Sequence, residues 1–113
     1  MRILIVGAGR GGARVIRQLQ KNPNMTLLTV DPVDEPFAVR EGIIERVDIK
    51  ESLTPLNLEY VLERARPDLM ILTRTAEDMG MGTAPGLDIL AEALREEIAA
   101  LSEVPVIEIA RGR

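Results

Sequence analysis

The residues best suited by type and spacing to hold a charged ligand are glycines. The stretch GAGRGG, Gly7 to Gly12, follows an apolar run at residues 3–6 and leads into the helical pattern ARVIRQL. Gly7, Gly9 and Gly12 fit the spacing G-x-G-x-x-G, and each has its own task. Gly7 permits a tight turn off a strand, Gly9 lets the backbone come close to a pyrophosphate, and Gly12 lets the following helix pack tightly on the sheet. The unpaired N–H groups and dipole of that helix start would face the phosphates. Arg10 offers a guanidinium to cover a phosphate or stack beside a base. Gly11 belongs to the same run without a task of its own, and weakens the first helical turn by roughly 1 kcal/mol. Such turns also occur with no ligand, so a second feature must decide.

That feature is Asp31. It ends a second apolar run about 20 residues beyond the turn, where a carboxylate can accept both ribose hydroxyls of an adenosine. It can also open an Asp-Pro turn with Pro32, and the two roles are compatible. Val33, Asp34 and Glu35 follow with no Arg or Lys, so a 2′-phosphate would meet carboxylates rather than a cation. The expected ligand is NAD or NADH in preference to the 2′-phosphorylated forms, with ATP, ADP and AMP as alternatives.

Positioning these residues needs a sheet and helices. Residues 3–6, 26–30, 43–47, 69–73 and 104–109 read as strands, mostly continuous in apolar character, as strands covered on both faces are. Gly12, Val15, Ile16 and Leu19 mark one helix face, and Leu58, Val61, Leu62 and Ala65 a second. Leu87, Leu90, Ala91, Leu94, Ile98 and Leu101 mark a third, with Glu92, Arg95 and Glu96 facing away. Thr54-Pro55 and Thr83 with Pro85 read as helix entries, Arg66-Pro67-Asp68 as a stop, and residues 35–42 as one helical turn at most. The expected fold is α/β, a three-layer Rossmann-like domain over residues 1–113 with a five-stranded parallel sheet of order 3-2-1-4-5. Its ligand crevice lies at the carboxyl ends of strands 1 and 4, beside the glycine turn.

Composition narrows the chemistry. The 113 residues are 46% hydrophobic and 28% charged, with net charge -4 and pI near 4.9. That balance argues against nucleic acid or an anionic membrane surface as the main partner. With no Cys and no His, disulfides, thiol chemistry, imidazole acid/base catalysis and ordinary zinc sites drop out together. The first apolar run is too short for a signal or membrane segment, which makes a cytoplasmic location the expectation. The sequence stops just after an apolar run, as a piece cut from something longer would.

The stretches IVGAGRGGARVIRQL and LTVDP together resemble the start of the RCK domain, the regulator-of-potassium-conductance module that binds NAD or adenine nucleotides. Gly7, Gly9, Arg10 and Gly12 match that family's Gly-x-Gly-Arg-x-Gly turn, and Asp31 matches its second-strand Asp. Further along, the resemblance implies ligand contacts from Asp48, where Val47-Asp48 stands for the family's Gly-Asp pair, and from Thr73 after the fourth strand. The loop RTAEDMGMGTAPG is longer than the family's and lacks its Asn. The resemblance implies a regulatory role in potassium transport, with a second copy of the chain or a separate membrane protein as partner. LEYVLERARPDLMIL also resembles extended short-chain dehydrogenases and the domains preceding ATP-grasp folds, a likeness that bears on fold alone.

Catalytic residues are not evident. Tyr60, the sole tyrosine, is followed four residues on by Arg64 where a dehydrogenase pair needs Lys, and reads as a packing residue. Asp48, Glu77, Asp78, Lys21 and Lys50 remain as acid/base candidates, but hydride transfer also needs a substrate pocket. Three readings stand: a nucleotide-binding module that reports occupancy to a partner, the dinucleotide-binding half of an oxidoreductase with its catalytic part elsewhere, and a ligand-free interaction domain. The loop 74–82, with Met79 and Met81 between glycines, reads as a lid, a docking surface or a plain connection.

Overall fold

The structure, a computed structural model, describes residues 1–73 and 84–109. Arg2–Val6, four aliphatic residues behind an exposed arginine, form β1, and Thr26–Val30 form β2 in full parallel register beside it, with Ile3 opposite Leu27 and Val6 opposite Val30. Leu69–Leu72 form β3 on the other side of β1, and Val106–Glu108 form β4 beyond that. The sheet is parallel throughout, with order β2-β1-β3-β4.

Strand alternation divides the core. Ile3, Ile5 and Ile71 face α1 (Arg10–Leu19) and the single turn α2 (Phe37–Arg40), packing with Ala13, Ile16 and Ala38. Leu4, Val6, Met70 and Leu72 face the opposite way, packing with Leu58, Val61 and Ala65 of α3 (Leu58–Ala65) and Ile98 of α4 (Leu87–Leu101). Helices thus cover both faces of a parallel sheet, as right-handed crossovers in both directions from β1 require. α3 ends where Arg66 turns into the left-handed region at φ 46° ahead of Pro67. The Arg2 guanidinium donates to the Ala65 carbonyl there at 2.7 and 3.0 Å, and the Asp68 carboxylate accepts from the Arg2 N–H at 2.8 Å. These contacts place β3 against β1.

Three expectations fail. Among the described residues the sheet has four strands rather than five: residues 43–47 do not pair, and the place beside β2 is held by one bridge between Val30 and Ile49. Ile49 donates to Thr29 and accepts from Asp31. The next outward N–H of β2, on Thr29, donates to the Asp48 carboxylate at 2.8 Å, and Asp48 N–H donates to the Thr29 hydroxyl at 3.2 Å. A side chain thereby supplies the acceptor that a longer strand would have offered, while Ile43 and Ile44 turn in to pack beneath α1.

The second failure concerns α4, whose buried residues are Ala91, Arg95 and Ile98. Ile89, Leu90 and Leu101 are 75%, 49% and 60% exposed, and Arg95 only 3%. Ala91 and Ile98 are buried as expected, but Arg95 joins them, with Glu108 at the end of β4 as a counter-ion, Nε to Oε1 at 3.2 Å. Tyr60 is also exposed on α3, where Arg64 donates to its hydroxyl at 3.4 Å, and so does not pack in the core. No helix among the described residues is long and apolar enough to cross a membrane.

Candidate functional site

The chain leaves β1 at Gly7 with φ 96°, a conformation that glycine adopts without penalty, while the Gly7 N–H still donates to the Val30 carbonyl at 2.8 Å. Gly9 stands at the helix start, and its carbonyl accepts the first helical bond from Ala13. A Cβ built on Gly12 would collide with the Gly7 carbonyl oxygen. The third glycine therefore lets the first turn of α1 rest on the backbone of the bend before it. The Thr73 methyl lies 3.5 Å from that same Cβ position. Its hydroxyl and N–H both donate to the Val6 carbonyl, at 2.8 and 3.2 Å, and fasten the end of β3 to the end of β1.

Ala8, at the tip of the bend, is gripped from the segment after β2. Its N–H donates to Asp31 Oδ2 at 2.8 Å, and its carbonyl accepts from Ala38 at the start of α2 at 3.0 Å. Asp31 Oδ1 accepts from the Val33 N–H at 2.9 Å, the Asx-type turn that Asp-Pro sequences favour, and the residue is 1% exposed. The guanidinium of Arg10 lies 4.6 Å from the centre of the Phe37 ring, a cation–π stack that holds its charge beside the bend.

Gly7, Gly9, Arg10, Gly11, Gly12, Asp31 and Thr73 thus come together at the carboxyl ends of β1, β2 and β3. Asp48 does not join them, because its carboxylate is committed to Thr29 on the outer edge of β2. Residues 74–82, and with them Glu77, Asp78, Met79 and Met81, lie outside the described residues, as does Thr83. Sequence reasoning missed Phe37 and Ala38, although a lone phenylalanine behind a proline in a chain so poor in aromatics was a usable signal. Lys50, expected only as an acid/base candidate, places its amine 3.6 Å from Asp34, so the acidic stretch after β2 has a cation near it after all.

A largely apolar hollow of about 220 Å³ opens beside the ends of β1 and β2, lined by Val6, Val30, Pro32, Leu53 and Leu94 with Glu51, Ser52 and Thr54. Among the described residues, no group of three or more acidic side chains is placed to hold a metal ion. The start of α1, the Arg10 guanidinium and an apolar hollow thus lie near one end of the sheet. No family model, no curated protein and no solved structure matches the chain.

Proposed function

We propose that the chain is a Rossmann-like, RCK-type nucleotide-binding module, taking NAD(H) or an adenine nucleotide such as ATP, ADP or AMP at the glycine turn and reporting occupancy to a partner. The observation that carries this reading is the start of α1, set by Gly12 directly on the bend at the carboxyl end of the central strand. Phosphates placed there meet N–H donors and the positive end of the helix dipole, with the Arg10 charge alongside. The base would lie in the apolar hollow beside Val30 and Pro32.

Asp31 supplies the reporting step. Its carboxylate is turned onto Ala8 and Val33 and buried, so a ribose can engage it only if the segment after β2 shifts to expose it. Ligand binding and movement of the segment after β2 then become one event, the differential binding that a population shift requires. The partner would be a second copy or a membrane protein of potassium transport, by the resemblance of the turn. A second reading, an interaction domain that binds no nucleotide, is favoured by the burial of Asp31.

Thermal-shift measurements with NAD, NADH, NADP, ATP, ADP and AMP test the proposal. A nucleotide at a hundred times its Kd stabilises by about 2.7 kcal/mol, which raises the Tm of a domain of this size by roughly 10 °C. No shift from any of the six at millimolar concentration sinks the reading. Asp31→Ala should weaken NAD more than inorganic pyrophosphate, and equal losses count against the ribose contact.

A further inference from the structure

Charge on this molecule is sorted by face. On α1, Arg14 and Arg17, followed by Lys21, are exposed at helical spacing with no carboxylate between them, and none of the three makes an ion pair among the described residues. On the opposite side of the sheet, a groove of about 590 Å³ runs between α3 and the end of α4. Its floor is Leu58, Leu62, Leu101 and Val104, and Glu59, Glu63 and Glu103 stand along it with Arg66 as the one cation in the lining. α4 has no basic residue in its last turn, so the negative end of its dipole adds to the carboxylates.

We propose that this groove receives α1 of a second copy of the chain. Long basic side chains suit it, since their methylene stems can cover Leu62, Leu101 and Val104 while the charged heads reach the carboxylates. Length agrees as well: α3 spans eight residues, about 12 Å, and α1 from Arg14 to its end at Leu19 covers about 8 Å at 1.5 Å per residue, with Lys21 just beyond. Glu59 and Glu63 are spaced as neighbours on one helix face, as are Arg14 and Arg17. The two surfaces lie on different faces of one chain, so the contact is head-to-tail, and each copy added leaves one of each surface free at the ends of a chain or closes a ring.

Sedimentation velocity over 5–500 μM protein reads this out. Association at 50 mM salt that falls away at 500 mM is expected, because exposed charges are screened within a few ångströms at high ionic strength. The double variants Arg14→Glu/Arg17→Glu and Glu59→Lys/Glu63→Lys, all at exposed positions, should each be monomeric with unchanged far-UV circular dichroism. Mixed in equal amounts they should associate again, since the intact groove of the first meets the intact α1 of the second and the two reversed surfaces are also opposite in charge. A wild-type chain that stays monomeric at 500 μM and 50 mM salt overturns the proposal, as does association that survives both charge reversals. Failure of the two variants to combine also overturns it.

Discussion

At the scale of single residues, the glycines of the turn do different work, and substitution separates them. Gly12→Ala drives a methyl into the Gly7 carbonyl, so the helix start must move; a loss of about 1–3 kcal/mol is expected in a urea titration, together with loss of nucleotide binding. Gly42→Ala is the matched comparison. It has φ 72° with open space around it, so it should cost about 1 kcal/mol in backbone strain alone and leave binding intact. Asp31→Ala removes the acceptor for two N–H groups, the Ala8 contact being buried, and should cost about 2 kcal/mol in the same titration. Asp31→Asn, which keeps one carbonyl oxygen, should lie between Asp31→Ala and the parent. Arg10 belongs to this scale too. Its stack on Phe37 predicts that Phe37→Leu, by releasing the guanidinium, weakens nucleotide binding measured by calorimetry, with little change in stability because Phe37 is only half-buried.

At the scale of elements, the edge of β2 gives the clearest test. Asp48→Ala leaves the Thr29 N–H without its carboxylate, and amide exchange at Thr29 should speed up by about tenfold, the equivalent of 1 to 1.5 kcal/mol. The same edge shows where the sequence was hard to read. Residues 43–47 have the apolar content of a strand, but the hydrogen bonds they would have made go to one residue, Ile49, and one side chain, Asp48. Local pattern cannot reveal that a carboxylate four residues past Ile44 will replace a strand. α1 and α3 were legible because their apolar stripes meet the sheet directly, as Ile16, Val61 and Ala65 show by being buried. α4 was not, since periodicity counts an arginine as outward whereas Arg95 is held inward by Glu108, 13 residues further along. The glycine turn was readable because steric demands at Gly7 and Gly12 are local. The grip of Ala38 on Ala8, and the approach of Lys50 to Asp34, arise only when distant segments meet.

At the scale of the whole molecule, the expected order 3-2-1-4-5 and the observed β2-β1-β3-β4 are the same arrangement with the outermost strand reduced to a single bridge. That reduction changes how the molecule meets its neighbours. A sheet edge with a row of free donors and acceptors is a template for strands of other chains, and proteins commonly blunt such edges with charge. Asp48 occupies the donor on Thr29 and places a carboxylate in the path of any incoming strand. Its removal should therefore do more than loosen one amide. Asp48→Ala heated near its unfolding temperature should turn turbid and bind an amyloid dye sooner than the parent, whereas Asp34→Ala, which alters charge without uncovering the edge, should behave as the parent does. That outcome would make Asp48 a guard of the β2 edge against pairing with strands of other chains.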